Sequence, residues 1–524
     1  VKTWCAKFNG FFEYLLDFME KNLGTWSKRL RWLSVILGAV LASVLPAIYF
    51  MQVPPLNDGG TFIAIADMMH QGAGLYSQVW DNKAPGIFFL HALFQFFAEP
   101  VSAAIALRIC FVLLLHLSLF YLIATSLRRA LLLLFFTPIF WNIVFNTTNF
   151  YSGDYTEFYG MVCILMSLLP LFSVQAKHWK AIIAGSFCAL AVLIKEPFIF
   201  LAGIVFIYTL HTYWSHKKRI LFFLLGACTP LFLFCVYLAI HKAWPHYLGY
   251  LSFAMEYSGQ ATPVDARQFL LRNYQEILVK FPAFTFGIII AALSCLDRKW
   301  LKQYRNLPLV LYGLLATSML FVYLGQQPYD HYLLPFLMPS SFFVLLGFQW
   351  LLWRLPEQLQ HAKALKVARI ALLLCLLFLS YTPVSQGFSQ FYNEKYRVQL
   401  TAKQEKETFL GKISPNERLY VEHEGVGRFY TYTQSKVIWK YPCPYPVFFG
   451  TVSPTPSEMQ RRNELVRAFT QSPPDAVLSR THYGPAFAYA KLWDYIYAHY
   501  TEADSFTSCE GETLVIWRKK RSTP

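Results

Sequence analysis

The sequence predicts an all-α polytopic membrane body of about eleven transmembrane helices, followed by a small C-terminal α/β domain. The chain of 524 residues is 56% hydrophobic and only 15% charged, too few polar residues to solvate a soluble fold of that size. Nearly uncharged runs recur from Leu30 to Ser385, each near the ~20 residues that a helix needs to cross hydrocarbon. Basic residues fall in every second connection between those runs, the positive-inside pattern of a multi-pass membrane protein. Lipid offers the backbone no hydrogen-bond partners, so each run must be helical.

The runs are roughly Leu30–Met51, Ala103–Leu127, Leu131–Phe145, Phe158–Val174, Ala181–Ile194, Phe198–Trp214, Ile220–Ile240, Phe281–Leu296, Leu307–Leu324, Tyr332–Trp353 and Ile370–Val384. Ile87–Phe97 is apolar but too short to span, and reads as a re-entrant or interfacial helix. The basic connections are Lys21 to Arg31, Arg128–Arg129, Lys177 with Lys180, Lys217 to Arg219, Arg298 to Arg305, and Arg354 to Arg369. Their alternation puts the N-terminus in the cytoplasm and everything after Val384 outside, as in a plasma (inner) membrane protein. The net charge of +16 is mostly this bias. No aromatic-basic groove or finger motif points to nucleic acid.

Three parts follow. Residues 1–29 form a cytoplasmic leader, in which Phe11, Phe12, Leu15, Leu16 and Met19 recur at helical spacing, as in a helix lying on the membrane surface. Residues 30–384 form the membrane body, with a long first outer loop over 52–99 and another from His241 to about Lys280. Residues 385–524 form an outer domain. There Leu419–Glu422, Val437–Trp439, Ala476–Leu478 and Thr513–Trp517 read as strands, and Glu458–Thr470 and Ala486–Tyr500 as helices. Of ten cysteines only Cys443 and Cys509 fall in this domain, where an oxidising compartment permits a disulfide between them. No cysteines have metal-site spacing.

The first outer loop holds the chemistry. It reads Asp58-Gly59-Gly60-Thr61-Phe62, then a helix-like stretch, then Gly74-Leu75-Tyr76 and Trp80-Asp81-Asn82-Lys83-Ala84-Pro85-Gly86. An acid and a cation are placed at the outer interface. That pair suits transfer of a sugar from a lipid phosphate: the acid deprotonates an incoming hydroxyl and the cation neutralises the departing phosphate. Each residue also has an ordinary reading, Asp58 as a turn residue before glycine and Lys83 as a headgroup anchor.

Asp-x-Gly-x-Phe, then Gly-x-x-x-Tyr, then Trp-Asp-x-Lys-x-Pro-Gly resembles the first outer loop of GT-C glycosyltransferases. The nearest branch is that of protein O-mannosyltransferases and lipid A aminoarabinose transferases, a glycosyltransferase family 39-like group. Thr156-Glu157, Lys195-Glu196-Pro197 and Tyr329-Asp330-His331-Tyr332-Leu333-Leu334-Pro335 resemble later motifs of the same family. The resemblance implies Asp58 as catalytic base, with Glu157 as the second-loop carboxylate. It implies Lys83, Tyr332, His331 and Lys195 around the donor phosphate. The donor is then a polyprenyl-phosphate-linked sugar and the acceptor a glycan, glycolipid or protein hydroxyl, in contact with membrane lipids. No cofactor is specified, and a divalent metal is compatible with the chemistry.

Two departures matter. Gly59 stands where many relatives carry Glu, and Ala84 where many carry Pro, which leaves the acceptor open. Glu157 also reads as a helix N-terminal carboxylate, Lys195 as a snorkelling cation, His331 as a loop-fixing residue and Asp154 as a turn residue. The competing class is a transporter or flippase of lipid-linked sugars. It predicts matching halves with broken helices, which the sequence does not show. The enzyme reading requires Asp58, Lys83 and Tyr332 to converge on one outer cavity.

Overall fold

The computed structural model describes residues 28–52, 58–123, 154–172, 177–259, 282–325, 330–358, 403–414, 417–422, 456–480, 490–508 and 513–520, with positions 268, 271, 429, 430 and 432. The expected leader helix, the expected spans Leu131–Phe145 and Ile370–Val384, the strand Val437–Trp439 and the cysteines 443 and 509 lie outside these residues.

The body is helical: α1 (Lys28–Gln52), α2 (Asp58–His70), α3 (Pro85–Gln95), α4 (Pro100–Ile123), α5 (Thr156–Leu171), α6 (His178–Ile194), α7 (Phe198–Tyr213), α8 (Lys217–Ile240), α9 (Trp244–Gly259), α10 (Pro282–Ser294), the short α11 (Arg298–Gln303), α12 (Leu307–Gly325), a 3-10 turn (Asp330–Leu333) and α13 (Leu334–Gln358). By length and composition, three stretches among the described residues could cross a membrane: Pro100–Ile123, Lys217–Ile240 and His331–Leu351. The other apolar helices are shorter, so the described helices do not add up to the eleven full-length spans that the sequence suggests. The first loop is no open loop, because α2 and α3 fill half of it. Pro85 occupies the first turn of α3, where a missing N–H costs nothing. One side of α3 is buried through Ile87, Phe88 and His91, while Phe96 and Phe97 just beyond it are exposed. The long connection after α8 likewise contains α9.

Close packing in the body relies on small residues. α6 and α8 cross where Gly185 faces the Phe223 carbonyl and Gly226 faces the Ile182 carbonyl, each so near that a Cβ would strike backbone. Such contacts let helices approach when no hydrophobic drive separates protein from lipid.

The C-terminal domain is a four-stranded sheet of β1 (Leu419–Glu422), β2 (Ala476–Arg480), β3 (Tyr500–Thr507) and β4 (Thr513–Lys519) in the order β1-β2-β4-β3. β1 and β2 are parallel, and the other pairs antiparallel. Helices α14 (Pro456–Gln471) and α15 (Ala490–His499) connect the strands. Alternation along the strands gives two buried faces. Tyr420 and Val477 share one core with Leu465, Phe469, Leu492 and Ile496 of the two helices. Leu419, Val421, Ala476, Leu478, Leu514 and Ile516 share another with Phe409 and Ile413. β3 is a strand that the sequence reading does not anticipate. Glu502 to Ser505 are all exposed in it, so it lacks the alternation that marks a strand, as befits a charged sheet edge. The helix expected to reach Tyr500 ends at His499, where β3 begins.

Candidate active site

Asp58 opens α2 and sits at the positive end of that helix. Lys83 belongs to the loop between α2 and α3. Their side chains form an ion pair, Lys83 Nζ to Asp58 Oδ2 at 3.0 Å, and both remain partly exposed, 31% and 39% respectively. Sequence reading places the two at one interface, and the structure joins them.

The loop that presents Lys83 is held from several sides. Tyr76 is buried and adopts the left-handed region at φ 67°, uncommon for a bulky residue. Its hydroxyl donates to the Lys83 carbonyl at 2.9 Å, and the Leu75 N–H donates to the Tyr237 hydroxyl at 2.7 Å. Asp81 Oδ1 accepts the Lys83 N–H at 3.0 Å. Burial pushes the Asp81 carboxyl up to about 7, against the opposing pull of Lys83. The Tyr76 ring stacks on Tyr250 at 5.0 Å, and the Tyr250 hydroxyl bonds Glu196. Glu196 follows Lys195, so one aromatic stack ties the Lys83 loop to the Lys195 turn.

A second cluster lies around Glu157. The Glu157 side chain is 1% exposed and pairs with Lys195, which closes the C-terminal end of α6. Thr156 Oγ1 donates to the other Glu157 oxygen at 3.0 Å. His331 Nε2 approaches Glu157 at 3.9 Å. Lys195 Nζ stands 4.0 Å from the centre of the Tyr332 ring, a cation–π arrangement.

Tyr155 connects the two clusters. Its ring stacks on His331 at 4.5 Å, nearly parallel. Burial, and after it the Asp58 and Glu157 carboxylates, push the Tyr155 phenol up. The charges of Asp58 and Lys83 also act on His331. The structure thus joins Asp58 with Lys83 in one pair, and Glu157, Lys195, His331 and Tyr332 in a second group whose histidine stacks on Tyr155.

Several neighbours escape the sequence reading. Asp154, readable as an ordinary turn residue, is fully buried. It pairs with Arg108 at 3.7 Å and accepts the Tyr159 hydroxyl at 2.6 Å. Asp154 also explains Gly59: a Cβ there would lie 2.6 Å from the Asp154 Cβ, so any larger residue would displace this carboxylate. Arg461 of α14 stacks on Trp80 at 5.4 Å and Phe253 at 4.7 Å, and Ala64 of α2 joins the second core of the sheet. The C-terminal domain thus packs on the loop that carries Lys83. The sequence reading names Trp80 within its motif but does not anticipate this contact. Among the described residues, no group of three or more His, Cys, Asp and Glu side chains could hold a metal ion.

No family model and no curated protein matches the sequence. Solved structures do match. ArnT from Cupriavidus metallidurans in the apo state superposes with a TM-score of 0.52 at 12% identity, over 94% of this chain and 98% of that one. The same protein bound to undecaprenyl phosphate gives 0.53 at 12% identity, over 92% and 97%. The oligosaccharyltransferase AglB from Archaeoglobus fulgidus, in complex with an inhibitory peptide and a dolichol-phosphate, gives 0.47 at 11% identity over 95% and 75%. Over the 92–94% of the chain that these two superpositions cover, its fold is similar to that of ArnT.

Proposed function

We propose that this chain is an integral membrane glycosyltransferase. It moves a sugar from a polyprenyl-phosphate carrier to the hydroxyl of a glycan, glycolipid or protein on the outer face of the membrane. The observation that supports this most is the half-exposed Asp58–Lys83 pair set beside the Glu157–Lys195–His331–Tyr332 cluster. The ArnT fold accommodates undecaprenyl phosphate in one of its structures, and such a lipid phosphate is what this reaction releases.

The acceptor oxygen attacks the anomeric carbon, and the bond from that carbon to the phosphate oxygen breaks. The hydroxyl proton passes to Asp58. The phosphate leaves with the bonding electrons and is met by Lys83 and Lys195. A partly exposed ion pair is worth only ~0–1 kcal/mol, so an arriving phosphate can draw Lys83 away and leave Asp58 able to accept a proton. Glu157, grouped with Asp58 by the sequence reading, fits a different task. Its burial and its bonds to Lys195 and Thr156 suit holding the second lysine in place.

The test uses full-length protein in lipid nanodiscs, supplied with a panel of polyprenyl-phosphate hexoses and pentoses, and measures release of polyprenyl phosphate. The wild type releases it from at least one donor. Asp58→Asn lowers that rate by at least ~10²-fold, the usual cost of losing a general base. Undiminished turnover in the Asn variant removes Asp58 from the mechanism. Movement of intact donor across vesicles, without cleavage, would favour a flippase instead.

A further inference from the structure

Three helices lead away from the candidate active site and meet again at their far ends. α5 starts beside Glu157 and ends at Leu171, and α7 starts just after Lys195 and ends at Tyr213. α12 follows Asn306 and runs back toward the turn that carries His331. With 16, 16 and 19 residues and 1.5 Å per residue, these helices span roughly 24–29 Å. A bilayer's hydrocarbon core is about 30 Å thick, so these helices fall a little short of it and their far ends lie toward the opposite membrane interface.

A cavity of about 290 Å³ opens there, lined by Tyr208, His211, Tyr213, Arg219 and Arg305 among others, and none of its lining residues is acidic. The two arginines come from separate segments. Arg219 lies in the first turn of α8, with its guanidinium 4.9 Å from the centre of the Tyr213 ring. Its Nε is buried and has no hydrogen-bond partner among the described residues. Arg305 follows α11 in the left-handed region, φ 51°, donates from Nη1 to the Phe172 carbonyl at 3.2 Å, and accepts the Tyr208 hydroxyl on its own carbonyl at 3.1 Å. Topogenic charge alone requires basic residues on one side of the membrane. It does not require two guanidinium groups from different connections to face one cavity without a carboxylate.

We infer that this cavity binds the phosphate of an anionic lipid in the leaflet opposite the active site. Guanidinium groups match phosphate oxygens in charge and in fork geometry, and basic pockets between helices at the membrane interface take anionic headgroups. The surroundings favour a lipid over a soluble phosphate. Ile207, Trp214 and Leu221, each a near neighbour in sequence of a lining residue, are 61%, 71% and 55% exposed, an apolar margin for acyl chains.

Full-length protein in detergent is titrated separately with phosphatidylglycerol, phosphatidylcholine and inorganic phosphate, and bound species are counted by native mass spectrometry. Phosphatidylglycerol binds in preference to phosphatidylcholine. Arg219→Gln weakens it by ~10-fold or more, the scale of a hydrogen bond to a charged group, and adding Arg305→Gln weakens it further. Lys299→Gln, a basic residue of α11 outside the cavity lining, leaves binding unchanged. Arg305 also holds the end of α5, so the single Arg219 variant keeps the test readable if the double variant does not fold. Equal loss on Lys299→Gln, or none on Arg219→Gln, overturns the site. Binding of inorganic phosphate without any preference for phosphatidylglycerol overturns the lipid assignment.

Discussion

Two lysine–carboxylate pairs flank Tyr155 and His331, made of the same chemical groups in unlike settings. Lys83 and Asp58 meet at 3.0 Å with about a third of each side chain exposed. Lys195 and Glu157 meet with Glu157 almost wholly buried, a threonine on its second oxygen and a tyrosine face beneath the ammonium. Water competes for both members of the first pair, but in the second it reaches only the lysine. A partly exposed pair contributes little and changes partners easily, whereas a buried pair cannot lose one member without stranding the other charge. One lysine is thus suited to exchange and the other to permanence, although nothing in their immediate residue types distinguishes them.

The largest expected effect tests permanence. Lys195→Met leaves Glu157 charged and buried, and should lower unfolding stability by about 3–5 kcal/mol, measured by denaturant unfolding in detergent. Lys83→Met should change it by no more than about 1 kcal/mol. Equal losses would erase the distinction between the pairs.

A third carboxylate sharpens it. Asp81 is buried like Glu157, but its hydrogen bonds come from the backbone of Asn82 and Lys83, and its pKa is about 7 instead of 3.8. The folded state then holds a proton that the unfolded state has lost, throughout the window from about pH 4 to about 7. Stability from this group falls as pH rises through that window and is level above it. At 1.36 kcal/mol per unit the full swing is at most ~4 kcal/mol. Asp81→Asn should remove this slope, so that the variant gains on the wild type at pH 8 and not at pH 4. Parallel stability curves would show that Asp81 ionises freely in the fold.

The smallest effect concerns exchange. Lys83→Ala should cost ~10- to 100-fold in kcat/KM for the lipid donor, the value of one hydrogen bond to a charged group, expressed mainly in donor KM. Lys83→Arg should recover part of it, since charge is kept while geometry changes. Donor kinetics untouched by the Ala variant would return Lys83 to the status of a headgroup anchor.

Much of the body was legible because hydrocarbon imposes one secondary structure on any long apolar run. The predicted Ala181–Ile194 and Phe198–Trp214 differ from α6 and α7 by a few residues at their ends. The six candidate site residues were singled out through short motifs, which name side chains but not their partners. The sequence cannot show that Glu157 would be buried against Lys195, because their meeting depends on how α5 and α6 pack. The same holds for Asp154: only the approach of α2 reveals that Gly59 leaves room for its carboxylate. β3 was missed because an exposed polar edge strand carries no apolar alternation.

The contact of Arg461 with Trp80 and Phe253 has a temporal side. Trp80 stands three positions before Lys83, while Arg461 is translated much later, after all the helices of the body. At ribosomal speeds of ~5–20 residues per second that interval is on the order of tens of seconds. The loop that offers Lys83 thus receives this neighbour only after every described helix of the body has been made. A chain cut before α14 retains every residue of the first loop and loses the cation that covers Trp80.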